Sequence, residues 1–202
     1  MEDKVLDIHN LVAGLIPAAG ASHRMGQDKR RLRHRGKTLL ENTIEALADG
    51  GANPVLLVLE PSSPCAQLPG VSQVTVVVNP APERGMLSSI RVGIEALPST
   101  VSAVAVLPGD NAFVPAAAVA ALLRHYAEHR PLLLAPRYAQ GRGHPLIIDR
   151  RLFEEATACD DAVGLRQLVR RREADLELLS LDYDGAEQDL DLPEHLERLD
   201  PT

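Results

Sequence analysis

The segment IPAAGASHRMGQDKRRL, residues 16–32, leads from an apolar run directly into a turn of small residues and cations. The apolar run favours a β-strand, and the alanines and glycines after it allow a ligand to approach the backbone closely. Successive backbone N–H groups in such a loop bind anions, and Arg24 and Lys29 add positive charge. Because ligands of parallel α/β sheets bind at the carboxyl ends of the strands, the segment predicts a site for an anionic ligand at that edge of a sheet.

Two familiar phosphate-binding loops do not fit this segment. A Walker loop requires Ser or Thr after the lysine of GxxxxGK, whereas Lys29 is followed by Arg30. The dinucleotide fingerprint requires GxGxxG, whereas residues 20–26 read GASHRMG. The cations at Arg24 and Lys29 instead suggest a triphosphate that is held by side chains as well as by the backbone. An ordinary loop with exposed charges is the alternative that the spacing alone leaves open.

The composition limits the classes of function. The chain has 202 residues, of which 45% are hydrophobic, so one domain over residues 1–202 can bury a core without disulfides. A formal net charge of −7 and an aromatic content of 2% argue against nucleic acid as a partner. Cys65 and Cys159 lack metal-ligand spacing, as expected for free thiols in a reducing cytoplasm. Neither a signal peptide nor a membrane-spanning segment is visible, so we expect a cytoplasmic protein with no membrane partner.

Apolar runs and helical stretches alternate along the chain, which predicts an α/β fold. The runs are of strand length and apolar on both faces, as in the buried strands of a parallel sheet. Helices are indicated by apolar residues at helical spacing, with Gly or Pro near the ends. The predicted strands cover 11–16, 55–59, 74–78, 103–107, 132–135 and the end of 137–149, and the predicted helices cover 38–51, 86–97, 115–129, 150–158, 162–172 and 189–200.

Seven segments resemble, in the same order, a family of nucleotidyltransferases that attach a nucleoside monophosphate to the molybdenum cofactor and related acceptors. The loop PAAGASHRMGQDK (17–29) resembles that family's LAAGxSxRMGxxK motif. The segment VAVLPGDNAFVP (104–115) resembles the strand that ends in its DMPxV motif, and DLDLPEHLERL (189–199) resembles its closing DxDTPEDLxxL. The other segments are GKTLLENTIEAL, NPAPERGMLSSIRVGIEAL, GRGHPLIIDRRLFEEA and DAVGLRQLVRR.

The resemblance implies a three-layer α/β/α domain with a Rossmann-like, mostly parallel sheet of the nucleotide-diphospho-sugar transferase type. It also implies an Mg²⁺-dependent nucleotidyltransferase that releases pyrophosphate. Ala18, Ala19 and Gly20 read AAG, which is similar to the cytidylyltransferase branch, whereas the guanylyltransferase branch usually has AGG. CTP is therefore the expected nucleotide and molybdopterin cofactor the expected acceptor, with delivery to a molybdenum hydroxylase or its chaperone.

The same resemblance implies roles for individual residues. Arg24 would hold the phosphates that leave as pyrophosphate, and Lys29 would neutralise charge at the α-phosphate, roles that suit a forked and a compact cation. Asp110 would be catalytic and would bind the metal ion with Asp191, although Asp191 could equally cap the helix after it. His144 would lie on the acceptor side, unless it is only a loop residue. The implied nucleotide-binding residues are Ala18, Ala19, Gly20, Ala21, Ser22, Gly26, Ser89 and Asn79, for which a turn before Pro80 is the alternative.

The chain also departs from the family pattern. Pro17 stands where Leu is usual, Ala112 replaces the proline of DMPxV, and Arg30 and Arg31 follow Lys29 where apolar residues are usual. No charged catalytic position is lost, but the acceptor could differ. The alternatives left open are another phosphorylated acceptor such as a sugar phosphate or a phosphonate, a GTP-dependent reaction, and a protein that binds and delivers nucleotide or cofactor without catalysis.

Overall fold

Strands and helices alternate through the chain, as the sequence predicts. The computed structural model describes residues 11–20, 28–139 and 141–183. Their strands are β1 (Val12–Pro17), β2 (Arg33–His34), β3 (Lys37–Thr38), β4 (Val55–Leu59), β5 (Thr75–Val78), β6 (Ala103–Val106), β7 (Leu133–Tyr138), β8 (Gly141–Arg142), β9 (Leu146–Asp149) and β10 (Leu176–Ser180). Their α-helices are α1 (Leu39–Asp49), α2 (Met86–Glu95), α3 (Ala116–His129), α4 (Phe153–Thr157) and α5 (Arg166–Arg171). The predicted helix over 189–200 lies outside the described residues.

The central sheet is mostly parallel and has β1 near its middle. In the described chain its order is β10-β7-β9-β6-β1-β4-β5, with β8 paired to β7. β1 is parallel to β4 and β6, and β10 is parallel to β7, whereas β9 is antiparallel to both of its neighbours. The prediction of burial on both faces is wrong for β5, because this strand forms one edge of the sheet and exposes Val76 and Val78. β10, at the other edge, is also half-exposed and was not predicted.

Helices cover both faces of the sheet and make three layers. α1 and α3 pack on one face, where Ile16 of β1 joins a core with Ile44 and Leu122. α2, α4 and α5 pack on the other, where Leu15 joins a core with Ile90 and Leu168. Neighbouring residues of β1 therefore point into different cores, as the two-residue period of a strand requires. In the described part of the chain, no helix combines the length and apolarity that crossing a membrane requires.

Two local features fix helices that border the site. Thr38 begins α1 with a capping box: its hydroxyl accepts from the N–H of Glu41, and the Glu41 carboxylate accepts from the N–H of Thr38. Gly93 lets α2 lie directly on β1, because a Cβ at this position would overlap the side chain of Leu15. The C-terminal half of α2 is thereby held directly against β1.

Candidate active site

The carboxyl ends of β1 and β6 lie side by side and open onto a cavity of about 240 Å³. The N–H of Leu107 donates to the carbonyl of Leu15 (3.0 Å), and the N–H of Ala18 donates to the carbonyl of Val58 (2.9 Å). Sheet hydrogen bonding thus continues up to the cavity. We call it the nucleotide cavity, and its lining residues are Pro17, Ala18, Ala19, Gly20, Arg30, Gly85, Met86, Ser89, Gly109 and Asp110.

The cavity brings together predicted site residues from three separate parts of the chain. Lys29 was predicted as a site residue but does not line the cavity. It begins the 3-10 helix Lys29–Arg31, is 9% exposed and lies beside the lining residue Arg30. The predicted residues that line the cavity are Ala18, Ala19, Gly20, Ser89 and Asp110.

Other predicted residues lie outside the described part of the chain, so their contacts with a nucleotide stay predictions. Four of them belong to the loop that follows Gly20, and one belongs to the closing motif. They are Ala21, Ser22, Arg24, Gly26 and Asp191.

Asn79 is buried behind the nucleotide cavity and does not line it. Its Nδ2 donates to the hydroxyl oxygens of Ser88 (2.8 Å) and Ser89 (3.0 Å), and its Oδ1 accepts from the N–H of Ala81 (2.9 Å). These contacts match the turn alternative and extend it, because they also fix the first turn of α2. In this structure Asn79 therefore acts on the cavity through Ser89.

Arg30 lies beside the cavity with only 5% of its surface exposed. Its Nε and Nη2 donate to the two carboxylate oxygens of Asp28, both at 2.8 Å, and its Nη1 and Nη2 donate to those of Glu60 at 2.7 and 2.8 Å. Nη1 also donates to the carbonyl of Ala18. A guanidinium has five N–H donors, so acceptors of the protein itself occupy all of them. Arg30 thereby joins Ala18 and Asp28, the two ends of the segment 18–28, which we call the nucleotide loop.

The charges of this Asp28–Arg30–Glu60 cluster are mutually stabilised. Burial alone would raise the pKa of Asp28 and Glu60, but the hydrogen bonds and positive charge of Arg30 outweigh it, so both pKa values are lowered. Burial alone would lower the pKa of Arg30, but the two carboxylates raise it instead. The Cys65 thiol lies 3.7 Å from Asp28 Oδ2, and burial raises its pKa. One guanidinium and two carboxylates leave the cluster with a net charge of −1.

Five lining residues were not predicted as site residues: Pro17, Arg30, Gly85, Met86 and Gly109. Arg30 was treated as a departure from an apolar position, although a buried arginine must find carboxylates and Asp28 precedes it by two residues. Gly85 has φ +93°, a backbone conformation that other residues rarely adopt, and it precedes the first residue of α2. Met86, the first residue of α2, lines the nucleotide cavity, so the positive end of the helix dipole lies beside it and favours an anion there.

A second cavity, of about 510 Å³, adjoins the nucleotide cavity. Met86 and Asp110 line both, so the two spaces meet at these residues. His144, predicted on the acceptor side, lines the second cavity, which we call the acceptor cavity. Two spaces that meet at one carboxylate suit a reaction between two bound substrates.

The loop opposite α2 forms one wall of the acceptor cavity and is fastened by ion pairs. Asp161 of this loop accepts from Arg84 Nε (2.9 Å) and also pairs with Arg91 of α2. Arg91 additionally donates to the carbonyls of Thr157 and Cys159. These bonds fix the distance between the loop and α2, and so the width of the cavity.

The residues at the junction fit a hard divalent cation that is shared with phosphate oxygens. Within residues 11–20, 28–139 and 141–183 there is no group of three or more His, Cys, Asp or Glu side chains that could hold a metal ion alone. Asp110 offers one carboxylate between the two cavities. Mg²⁺ typically takes one or two carboxylates and completes its shell with water and phosphate oxygens. The donor set is therefore suitable for a metal that arrives with a nucleotide.

The profile of the MobA-like NTP transferase domain matches residues 14–176. The chain belongs to the MobA-like NTP transferase family. Nicotine blue oxidoreductase from Paenarthrobacter nicotinovorans is 31% identical over 202 residues, which cover 93% of this chain and 96% of that protein. A probable molybdenum cofactor guanylyltransferase from Chloroflexus aggregans is 32% identical over 114 residues, which cover 55% of this chain and 52% of that protein.

Solved structures agree with this assignment. The crystal structure of Rv0371c from Mycobacterium tuberculosis H37Rv superimposes with a TM-score of 0.82 at 25% identity, over 94% of this chain and 96% of that one. A manganese complex of the same protein superimposes with a TM-score of 0.77 at 22% identity, over 93% and 97%. The MobA-like family thus confirms the resemblance, the nucleotidyltransferase class and the mostly parallel α/β fold expected from the sequence.

Proposed function

We propose that this MobA-like protein is an Mg²⁺-dependent cytidylyltransferase that transfers CMP from CTP to the terminal phosphate of a molybdopterin-type acceptor. The observation that carries the proposal is the meeting of two cavities at Asp110. The smaller lies where the nucleotide loop, the first turn of α2 and the end of β6 converge, which suits a triphosphate. The larger has room for the acceptor on the other side of the same carboxylate.

The reaction exchanges one phosphoanhydride linkage for another: the bond between the α- and β-phosphates of CTP is broken, and a new one forms between the acceptor phosphate and CMP. An oxygen of the acceptor phosphate attacks the α-phosphorus of CTP, and the bond between that phosphorus and the bridging oxygen breaks to release pyrophosphate. The second pKa of a phosphate monoester is about 6, so the attacking oxygen is already deprotonated near neutral pH. The protein therefore needs to position the two phosphates and to compensate their charge, rather than to remove a proton.

The predicted residues other than Asn79, which acts on the cavity through Ser89, each have a place in this scheme. The backbone of Ala19 and Gly20 and the side chain of Ser89 would bind the nucleotide, with Ala21, Ser22 and Gly26 continuing the loop. Ala18, whose N–H and carbonyl are bonded to Val58 and Arg30, would contribute to the wall of the cavity. Arg24 would hold the β- and γ-phosphates and Lys29 the α-phosphate. His144 would contact the acceptor. Asp110 would hold Mg²⁺, with Asp191 as the second carboxylate; when bound, the ion neutralises charge on the phosphates during transfer.

The choice of CTP rests on Ala19. Ala19 lines the nucleotide cavity and carries a methyl group where the guanylyltransferase pattern AGG would have a hydrogen atom. A smaller space favours the one-ring base over the two-ring base. GTP is the competing nucleotide, because the relative from Chloroflexus aggregans is named a probable molybdenum cofactor guanylyltransferase.

One relative is named as an oxidoreductase, so binding of a nicotinamide dinucleotide has to be compared with binding of nucleoside triphosphates. Enzymes that transfer hydride commonly use a nicotinamide dinucleotide. Thermal unfolding with CTP, GTP, ATP, UTP and NADPH, each with Mg²⁺, separates the two chemistries. A ligand at one hundred times its Kd stabilises by about 2.7 kcal/mol. For a domain of this size the Tm then rises by roughly 5–10 °C.

We expect a Tm rise with CTP that exceeds the rise with the other four compounds. Release of pyrophosphate from CTP on addition of a molybdopterin-type acceptor then tests the transfer itself. A rise confined to GTP would replace CTP by GTP and leave the reaction class intact. A rise confined to NADPH, without pyrophosphate release from any nucleotide, would reject the proposed function.

A further inference from the structure

The acceptor cavity has two chemically different ends. At one end it shares Met86 and Asp110 with the nucleotide cavity. At the other it shares Arg142, Arg166 and Val169 with a third cavity of about 220 Å³. The nucleotide cavity and the third cavity share no lining residue, so the two arginines stand at the end remote from the transfer site.

The remote end carries positive charge that no described carboxylate neutralises. Neither Arg142 nor Arg166 forms an ion pair with another residue in the described chain, and Glu173 lines the third cavity but not the acceptor cavity. Asp161 also lines the acceptor cavity, but Arg84 and Arg91 already bind its carboxylate. Two cations on a chain with a net charge of −7 thus face the same space.

Between the two ends the wall of the acceptor cavity is apolar. The side chains that form it come from α2, β6, β9 and the loop before α5, and they are Leu87, Ile90, Val106, Leu146, Val163 and Leu165. A wall of this kind suits the uncharged or planar body of a ligand. At about 510 Å³ the cavity is also larger than a phosphate group alone requires.

Both arginines are carried by packed segments. Arg142 lies in β8 opposite Arg137 of β7, and the next residue, Gly143, lies so close to the ring of Tyr138 that a Cβ would overlap it. The Tyr138 hydroxyl also donates to the carbonyl of His144 (3.1 Å). Arg166 begins α5, which the fully buried Leu168 anchors in the core. The fold thus sets the backbone positions of the two arginines, whose side chains are exposed.

We propose that Arg142 and Arg166 bind a second anionic group of the acceptor, at the end opposite to its attacking phosphate. The acceptor would then be a phosphate monoester with an apolar or planar body and a further carboxylate, phosphate or comparable anion. This inference rests on the proposed function, because the transfer site at Asp110 defines which end of the acceptor attacks.

The test compares two small probes that differ in one anion: phenyl phosphate and 4-carboxyphenyl phosphate. Their Kd values are measured by calorimetry while α,β-methylene CTP and Mg²⁺ fill the nucleotide cavity. The wild-type protein should bind the carboxylated probe about tenfold more tightly, a factor that corresponds to roughly 1.4 kcal/mol. Arg142→Gln with Arg166→Gln should abolish this preference and leave the Kd of phenyl phosphate within about twofold.

Arg170→Gln is the matched control, because Arg170 lines the third cavity but not the acceptor cavity. This variant should keep the tenfold preference. Equal binding of the two probes by the wild type, a preference that survives in the double variant, or its loss in Arg170→Gln would each overturn the inference. Titration with α,β-methylene CTP alone tests nucleotide binding separately, so a failure of the proposed function is recognised before the probes are added.

Discussion

Replacing Arg30 by Met removes the cation between two carboxylates and keeps an unbranched side chain about as long as the stem of arginine up to Nε. In the wild type the side chains of Asp28 and Glu60 are only 23% and 19% exposed. Breaking a buried ion pair by removing one partner costs about 3–5 kcal/mol. Because the carboxylates retain some contact with water, we expect the lower end, about 3 kcal/mol. For about 200 residues that corresponds to a fall in Tm of roughly 6–12 °C.

The pH dependence of this loss identifies its cause. In the wild type the lowered pKa values of Asp28 and Glu60 give stability that is present above their unfolded values, near pH 4, and is lost as the pH falls through the folded ones. Without Arg30, burial raises both pKa values, so the unpaired carboxylates destabilise the fold at pH 7 and much less after protonation. The difference in unfolding free energy between wild type and variant should therefore shrink from pH 7 to pH 4.

Urea unfolding of both proteins at several pH values measures this difference. Lys37→Met is the control, because the Lys37–Glu45 pair is exposed and an exposed pair is screened by water and salt. A loss below about 1 kcal/mol for Arg30→Met, or a difference that stays constant down to pH 4, would refute the electrostatic account of the cluster.

Four further substitutions test the site. Asp110→Asn should lower the rate of pyrophosphate release by roughly 100-fold or more, since metal-based charge compensation is worth several kcal/mol; a wild-type rate would remove Asp110 from the mechanism. Ala19→Gly should lower the ratio of kcat/KM for CTP over GTP by about tenfold, the effect of one methyl group in a binding pocket, and an unchanged ratio would contradict the role of the AAG loop. Gly85→Ala should cost about 1–3 kcal/mol and raise the KM for nucleotide, because φ is +93°; a KM equal to that of wild type would show that the start of α2 does not bind phosphate. Asn79→Ala should lower the unfolding free energy by about 1–3 kcal/mol in urea, since two hydroxyl groups lose their donor, and no loss would mean that these bonds contribute nothing net.

The part of the fold that local pattern determines could be predicted from the sequence. The runs that became β1, β4 and β6 are apolar along their whole length, a pattern typical of strands covered on both faces. The carboxyl ends of these strands then indicated where the cavity lies, because ligand sites of parallel sheets are found at the carboxyl ends of strands. β5 was predicted as a strand but not as an edge, since Val76 and Val78 look the same in the sequence whether a neighbour covers them or not.

What the sequence did not reveal depends on contacts between distant residues. Glu60 follows β4, thirty residues after Arg30, and only the pairing of β1 with β4 brings the two together. Asn79 was similarly ambiguous, because its hydrogen bonds to the first turn of α2 require the strand and the helix to be in place. The acceptor cavity combines segments from β6, α2, β8 and α5, whose proximity depends on the strand order and on the packing of both helices on one face of the sheet.

The contact between Gly93 and Leu15 sets the position of α2, and this helix borders both the nucleotide cavity and the acceptor cavity. Met86, at one end of this helix, lines the nucleotide cavity and the acceptor cavity alike, and Arg91 ties its middle to Asp161 in the far wall. Since no side chain on Gly93 separates helix from strand, an added methyl group there must displace either the side chain of Leu15 or α2 itself. In the second case, a change buried in the core, away from either ligand, would alter the fit of both substrates at once.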